Sequence, residues 1–234
     1  MKPAAGKIPS QPAIAGAPAK VPRRGGRPSR SEAEQLGKRI LDAATELFFS
    51  TGYGATSIEA VARRAGISKR TFYHRFDDKS ALFSAVVHRT IEAMRPPAGV
   101  PLLEGANLQE VLQNVAGLVL RAALSPPALA LHRLIVAESA RFPQLAAVVD
   151  GQGGSQEAIR LIAGVLDGEA RVGRLTLDNP TFAAQQFLQM VIAVPQRRAM
   201  GPGKMMSTDE RAAWTRDVVN LFVNGCRAWE RADN

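Results

Sequence analysis

Apolar side chains recur at intervals of three and four residues along most of the chain, which is the spacing of one helix face. The pattern begins at about residue 32, and Gly52 and Gly54 interrupt it. Its first stripe consists of Ile40, Ala44, Leu47 and Phe48. Because no segment shows the alternation of a strand, we predict an all-α chain.

Two short helices joined by a tight turn are predicted next. The first, at about 57–64, begins with Thr56-Ser57-Ile58-Glu59, which has the Thr-x-x-Glu spacing of a capping box, and Gly66 suits its C-terminal end. Ser68 caps the second helix, at about 69–75. A turn of three or four residues that contains a glycine is typical of a helix-turn-helix.

The second of these helices has two chemically different faces. Phe72 and Phe76, four residues apart, are predicted to point into the core, so that the polar side chains project elsewhere. Those polar residues are Lys69, Arg70, Tyr73 and His74. Asp77 or Asp78 caps a third helix at about 79–94, and Pro96-Pro97 ends it.

The remainder of the chain is also predicted to be helical. Residues 128–140 are apolar nearly all round, which favours a buried helix. Asn179-Pro180 begins another helix, and Pro195 ends or kinks it, so residues 196–206 are interpreted as a mobile loop. A second capping box, Ser207 with Glu210, precedes a last helix at about 208–231.

Excess positive charge is confined to the N-terminal part of the chain. Residues 1–95 hold 17 Lys and Arg against 8 Asp and Glu, whereas residues 96–234 hold 13 of each. A basic segment joined to a neutral one indicates a polyanion-binding module beside a domain with another role. Nucleic acid is the favoured polyanion, and a membrane surface or a merely solubilising basic segment are the alternatives.

The first 31 residues are predicted to form a disordered basic tail. Residues 1–30 contain six Pro, four Gly and seven Lys or Arg, with no acid. Arg23–Arg30 resembles an AT-hook core, although Gly25 stands where the usual first Arg lies. Arg24 and Arg27 are therefore candidates for the minor groove, and a solvated tail is the alternative.

Several classes of function find no support in the sequence. There is no Gly-x-Ser-x-Gly, Walker loop or His-Glu-x-x-His, and the three histidines are scattered singly, so we predict neither an enzyme nor a cofactor or metal site. The single cysteine, Cys226, fits a reducing compartment such as the cytoplasm. No apolar run has the length of a membrane span, and no signal sequence is recognised at the N-terminus.

A helix-turn-helix in a basic module points to duplex DNA. Residues near the N-terminus of the second helix reach base edges in the major groove, and helix N-termini favour phosphate. A basic side chain in the first turn of the next helix, Lys79, is well placed for a phosphate. The candidate DNA-contacting residues of this domain are Thr56, Ser57, Ser68, Lys69, Arg70, Thr71, Tyr73, His74, Arg75 and Lys79.

The same stretch carries a family resemblance. The segments Arg39–Phe48, Gly52–Ile58, Ala65–Phe76 and Lys79–Leu82 are similar to the N-terminal domain of TetR/AcrR transcriptional regulators. The resemblance implies a cytoplasmic homodimer of all-helical subunits, with a three-helix DNA-binding domain (32–95) and a larger ligand-binding and dimerisation domain (96–234). Family members commonly contact DNA at the positions of Thr71, Tyr73, His74, Arg75 and Lys79, whereas Lys69 and Arg70 occupy variable positions.

A repressor bound to palindromic half-sites and released by an unidentified small-molecule effector is the function that the resemblance implies. The last two long helices are candidates for the dimer interface, and an intramolecular core is the alternative for their apolar stripes. The dimerisation candidates are Phe187, Met190, Val191, Trp214, Val218, Leu221 and Phe222. Candidate effector contacts are His132, Arg133, Glu138 and Phe187. An enzyme with a basic tail and an architectural DNA protein are the competing hypotheses.

Overall fold

The computed structural model describes residues 30–96, 103–151, 154–202 and 204–228, so the predicted basic tail with Arg24 and Arg27 lies outside the described residues. Within them the chain is helical and contains no strand, which confirms the all-α prediction. The helices are α1 (Arg30–Thr51), α2 (Ile58–Ala65), α3 (Lys69–Tyr73), α4 (Lys79–Met94), α5 (Leu108–Ala123), α6 (Pro126–Glu138), α7 (Gln144–Gly151), α8 (Gly154–Arg171), α9 (Pro180–Met200) and α10 (Thr208–Ala228).

The first four helices surround a small aromatic core. Phe48 of α1, Tyr53 of the following turn and Phe83 of α4 pack with ring centroids 5.3–5.6 Å apart. Arg89 of α4 then ties the two long helices together, because its guanidinium donates to Asp42 Oδ1 at 2.6 Å and to the Leu41 carbonyl at 2.9 Å. These contacts make the N-terminal unit a rigid support for α2 and α3.

A second, larger core joins α5, α8, α9 and α10. Its centre is the pair Phe187 and Phe222, whose ring centroids lie 4.9 Å apart, and Leu112 and Leu166 are buried beside them. The helices α6 and α7 lie between the two cores and contribute Leu131, Leu134 and Leu145 to the N-terminal one. The C-terminal part of the chain is therefore packed directly against the N-terminal unit.

The prediction of a buried helix at residues 128–140 holds for only one face of that helix. In α6 the side chains of Leu129, Leu131 and Leu134 are buried, but Val136 is 61% exposed. The helix packs along one face against α1, α4 and α9, and its other face is open. The apolar composition did not identify that open face, because Val136 and Ala137, which are exposed, are apolar like the buried leucines.

Pro195 does not end its helix, and the loop predicted over 196–206 was wrong in its first five residues. Helix α9 continues through Pro195 to Met200. A proline at 195 has no N–H for the carbonyl of Val191, four residues earlier. The indole Nε1 of Trp214 donates to that carbonyl at 3.0 Å instead, and the replacement comes from α10, which no local pattern reveals.

Most helix ends follow the local signals. Asp78 caps α4 by accepting from the Ala81 amide at 2.7 Å, and Asn179 caps α9 by accepting from the Phe182 amide at 2.9 Å. The predicted box before α10 is confirmed in both directions, since the Glu210 amide donates to Ser207 Oγ and the Ser207 amide donates to Glu210 Oε2.

Among the described helices, none is by itself long and apolar enough to cross a membrane. Only α5 and α6 taken together, with a bend of 65° between them, satisfy a length and composition test for a span.

Candidate DNA-binding interface

The corner between α2 and α3 is built by local capping. Ser57 caps α2 by accepting from the Ala60 amide at 3.1 Å, and Ser68 caps α3 by accepting from the Thr71 amide at the same distance. Gly66 closes α2 with a φ of +68°, a left-handed conformation that costs glycine little. The turn thus has the compact geometry of a helix-turn-helix.

The prediction that Thr56 and Glu59 form a capping box at the start of α2 was wrong. The side chain of Thr56 is only 2% exposed and its hydroxyl donates to the Gly52 carbonyl at 2.7 Å, so it braces the turn before α2. The adjacent hydroxyl of Ser57 takes over the cap. The Thr56 side chain is therefore absent from the surface on which DNA contacts were predicted.

Helix α3 presents the two faces that the sequence predicts. Phe72 is fully buried, with its ring centroid 5.7 Å from that of Phe76, whereas Tyr73 is 52% exposed. The helix ends at Tyr73, two residues earlier than predicted, and His74 serves as its C-cap. The exposed side chains here are Lys69, Arg70 and Tyr73 of α3, followed by His74 and Arg75 just after its end.

Thr71 sits at the edge of this face. Its hydroxyl lies 2.8 Å from Ser68 Oγ, while its amide donates to the same oxygen. Two hydroxyl groups are thereby grouped at the N-terminus of α3, where unsatisfied amides favour an anion.

Lys79 has a different environment from the one predicted. Its ammonium donates to the carbonyl oxygens of Tyr53 at 3.0 Å and Thr56 at 3.1 Å, and it lies 4.5 Å from the centre of the Tyr53 ring. Both carbonyl oxygens belong to the turn before α2, outside the helices, and they accept from the Lys79 ammonium. The ammonium of the half-buried Lys79 thus bonds carbonyls of its own domain, and its contact with a phosphate stays a prediction.

An ion pair on the exposed surface was missed by the sequence analysis. Glu59 of α2 does not complete a capping box with Thr56, but pairs with the ammonium of Lys69 at the start of α3. The hydrogen bond from Lys69 lowers the pKa of Glu59, and the same bond raises the pKa of Lys69. The surface therefore carries a carboxylate beside its cations. No spacing rule links two residues on separate helices.

Arg75 lies against α1. A methyl group placed on Gly37, which is buried in α1, would come within 2.8 Å of the Arg75 guanidinium carbon. Glycine at this position therefore allows the guanidinium to approach the helix backbone. The sequence analysis gave Gly37 no role, because the approach is visible only once α1 and α3 are placed together.

Two family models match the chain. The one described as "Bacterial regulatory proteins, tetR family" covers residues 40–86, which include the helix-turn-helix, and the one described as "AefR-like transcriptional repressor, C-terminal domain" covers residues 110–225. The chain belongs to the TetR family of bacterial regulatory proteins. The resemblance drawn from residues 39–82 is thereby confirmed.

Individual relatives agree with this assignment. UidR, an HTH-type transcriptional regulator of Escherichia coli (strain K12), is 31% identical over 124 residues, which cover 51% of this chain and 60% of UidR. The chain thus spans about three fifths of the length of the UidR relatives that it matches. The uncharacterized HTH-type transcriptional regulator Rv1255c of Mycobacterium tuberculosis (strain ATCC 25618 / H37Rv) is 28% identical, over 87% of this chain and 94% of its own.

The fold matches a solved structure as well. The structure entitled "Flavonoid-responsive Regulator FrrA" has a TM-score of 0.71 and 28% sequence identity, over 82% of this chain and 97% of FrrA. UidR and Rv1255c are named as HTH-type transcriptional regulators, and FrrA is named as a flavonoid-responsive regulator.

In this TetR-family chain, the predicted effector contacts lie in different environments. Glu138, at the end of α6, accepts a hydrogen bond of 3.1 Å from the Gly54 amide in the turn before α2. Arg133 donates to the Ala199 carbonyl at 3.1 Å, Phe187 belongs to the core, and His132 is half-buried on α6. Two polar groups of α6, Glu138 and Arg133, thus bond neighbouring elements, and the effector contacts at these positions stay a prediction.

The end of α6 and the residues that follow it contact the turn before α2 in the DNA-binding domain. Besides the Glu138 bond, the ring of Phe142 packs edge-on against Tyr53 with centroids 5.0 Å apart. Tyr53 is also the residue whose carbonyl accepts from Lys79. The end of α6 therefore contacts the turn that positions α2.

Most of the predicted dimerisation residues pack inside one subunit. Phe187, Val191, Val218 and Phe222 are buried in the C-terminal core, and Trp214 is bonded to α9. These apolar side chains thus pack in the core of their own subunit, which is the alternative that the sequence left open. Leu221 differs from them, because it is 66% exposed, and Met190 is half-buried.

Proposed function

We propose that this protein is a homodimeric repressor that binds a palindromic DNA operator and is released by a small molecule bound in its C-terminal domain. The observation that carries the DNA-binding part is the exposed face of α3, where Arg70, Tyr73 and His74 project around a buried Phe72. An α-helix with such a face fits the major groove, and its first residues reach the base edges.

The side chains divide between two tasks. Arg70 and Lys69 have the donors that recognise guanine, and Arg is the side chain that binds guanine most often with two hydrogen bonds. The hydroxyls of Ser68, Thr71 and Tyr73 suit phosphate oxygens at the helix N-terminus. Ser57, as the exposed N-cap of α2, joins this phosphate-contacting group.

Dimerisation is supported by exposed apolar side chains on α9 and α10. Phe182 and Val194 of α9 and Leu221 of α10 are 43–66% exposed, although each lies on a helix of the larger core. Two such helices from each subunit form a four-helix bundle. The bundle places two copies of α3 in successive major grooves, which are about 34–36 Å apart.

Release by an effector requires that the regulatory domain shift the position of α3. The bond from Gly54 to Glu138 and the packing of Tyr53 on Phe142 support such a link. A ligand that binds better to one arrangement of α6 shifts the population of α3 spacings, and operator affinity falls accordingly.

The decisive experiment is footprinting of the full-length protein on DNA flanking its own gene, with affinity measured by gel shift. Arg70→Ala and Tyr73→Ala are expected to weaken binding without altering the thermal unfolding midpoint, whereas the control Arg121→Ala on α5 leaves affinity unchanged. Protection of no sequence over scrambled competitor would overturn the proposal. A reporter gene under the operator then separates repression from activation.

Deletion of residues 1–29 tests the architectural alternative. If α3 reads the operator, the shortened protein binds the same sequence with lower affinity, since the tail contributes only electrostatic attraction through Arg24, Arg27 and the other basic residues. Complete loss of sequence preference favours an architectural protein instead. For a DNA-binding regulator of this kind we place the protein in the cytoplasm, associated with the nucleoid.

A further inference from the structure

A groove of about 830 Å³ lies between the start of α5 and the C-terminal half of α8. Apolar side chains line part of it, namely Leu108 and Val111 from α5, Leu161 and Val165 from α8, and Leu175 from the segment after α8. Its polar lining consists of Asn107, Arg160, Glu169 and Arg174. A volume of this size suits a small organic molecule. None of the candidate effector residues chosen from the sequence lines it.

Two glycines of α8 form part of the groove. Gly164 and Gly168 are interior residues of the helix, where glycine is less favourable than alanine. A Cβ atom at either position would meet nothing within 4 Å, and neither residue has a positive φ. Neither close packing nor backbone conformation therefore requires glycine. Its effect at both positions is to leave the space along α8 open.

The charged groups of the groove leave one cation without a counterion. Arg174 donates two hydrogen bonds to the Glu169 carboxylate, at 2.7 and 2.8 Å, and this pairing lowers the pKa of Glu169. These two charges offset each other. Arg160 lies one helical turn before Gly164 and is solvent-exposed, and it takes part in none of the ion pairs among the described residues.

We infer that this groove is the effector site, and that it takes an elongated apolar molecule ending in a single carboxylate. The inference rests on the proposed function, whose effector it specifies. The apolar part lies over Gly164 and Gly168, against Leu161 and Val165, because these residues leave space bounded by hydrocarbon. The carboxylate pairs with Arg160, whose guanidinium binds a carboxylate with two parallel hydrogen bonds.

Binding to the full-length protein tests the inference directly. Titration calorimetry is run with decanoate and 4-phenylbutyrate, and with 1-decanol as the uncharged analogue of decanoate. Arg160→Gln is expected to weaken decanoate binding about ten-fold, which corresponds to one charge-assisted hydrogen bond, and to leave 1-decanol unaffected. The matched control Arg121→Gln, on the exposed surface of α5, changes neither.

Filling the groove provides a second, independent arm. Gly164→Leu is expected to abolish binding of both carboxylates. Its control, Gly164→Ala, adds only a methyl group in open space and raises the thermal midpoint, because alanine favours a helix more than glycine does. An equal or higher midpoint for the leucine variant shows that loss of binding comes from occupied space and not from misfolding.

The inference and the proposed function fail in different ways. If wild-type protein binds its operator but neither carboxylate, or if Gly164→Leu and Arg160→Gln bind decanoate as wild type does, the groove assignment is overturned. If decanoate binds at the groove and leaves operator affinity unchanged, the site is not an effector site. Absence of any sequence-specific DNA binding contradicts the proposed function, whatever the groove binds.

Discussion

Replacement of Lys79 by Met distinguishes an internal support from a DNA contact. Methionine keeps an unbranched side chain of similar length but removes the ammonium, so the carbonyl oxygens of Tyr53 and Thr56 lose their donor. Hydrogen bonds from a charged group contribute about 1.5–3 kcal/mol each when buried. Because Lys79 is only half-buried, we expect the free energy of unfolding to fall by about 2 kcal/mol in total, including about 0.5 kcal/mol from the Tyr53 ring.

Urea unfolding at one fixed protein concentration measures this change, and the slope m should stay constant while the midpoint falls. Lys204→Met, on the exposed segment before α10, is the matched control and leaves the midpoint unchanged. Operator affinity of Lys79→Met is then measured over a range of salt concentrations. If the ammonium is internal, the slope of log affinity against log salt equals that of the wild type.

The opposite pattern refutes the internal role. Loss of one phosphate contact in each subunit lowers the magnitude of the salt slope by about 0.9 per contact, or about 1.8 for a dimer. An unchanged unfolding free energy together with that shallower slope would show that Lys79 contacts DNA.

Three further predictions concern single interactions. Trp214→Phe removes the donor that replaces the missing N–H of Pro195 and should lower the stability in thermal unfolding by about 1–2 kcal/mol. Adding Pro195→Ala restores a backbone N–H for the Val191 carbonyl, so the double variant should lose less stability than the sum of the two single variants. Additive losses would contradict this account. Glu59→Gln frees the ammonium of Lys69 for phosphate and should steepen the salt dependence of operator binding by about 0.9 per subunit. Lowering the pH through the depressed pKa of Glu59 protonates the carboxylate and should bring the wild type towards the same salt dependence. Glu138→Ala should lower the coupling free energy between effector binding and operator binding by up to about 1.5–3 kcal/mol, because the Gly54 amide loses its acceptor. Glu138→Gln keeps an acceptor oxygen and should keep most of the response. Equal responses of the two variants in a gel shift with effector would exclude the bond from the coupling.

The DNA-binding unit was largely predictable because its signals are local. The caps Ser68 and Asp78 each bond an amide three residues later, and Phe72 and Tyr73 separate into buried and exposed positions through helix period alone. Local signals become ambiguous where two candidates are adjacent. Thr56 and Ser57 both have a hydroxyl suited to a cap, and burial of Thr56 against the end of α1 decided between them.

The regulatory domain was less predictable because its decisive contacts join distant segments. Glu138 is 84 residues from Gly54, and Trp214 is 23 residues from Val191. An apolar stripe shows that a helix buries a face, but it does not identify what covers that face. Phe187 and Phe222 therefore fitted a subunit interface and a subunit core equally well until their rings were placed together.

By itself the sequence determined the helical class, the helix-turn-helix with its two-faced second helix, and the division into a basic and a neutral part. Each of these depends on spacing, capping or charge within a few residues, where chain connectivity already holds the partners close together. The tertiary structure alone decided the partners of Lys79 and Glu59, the contact of α6 with the turn before α2, and the groove beside Gly164. Those features depend on how helices pack, and packing brings together side chains whose separation along the chain carries no signal.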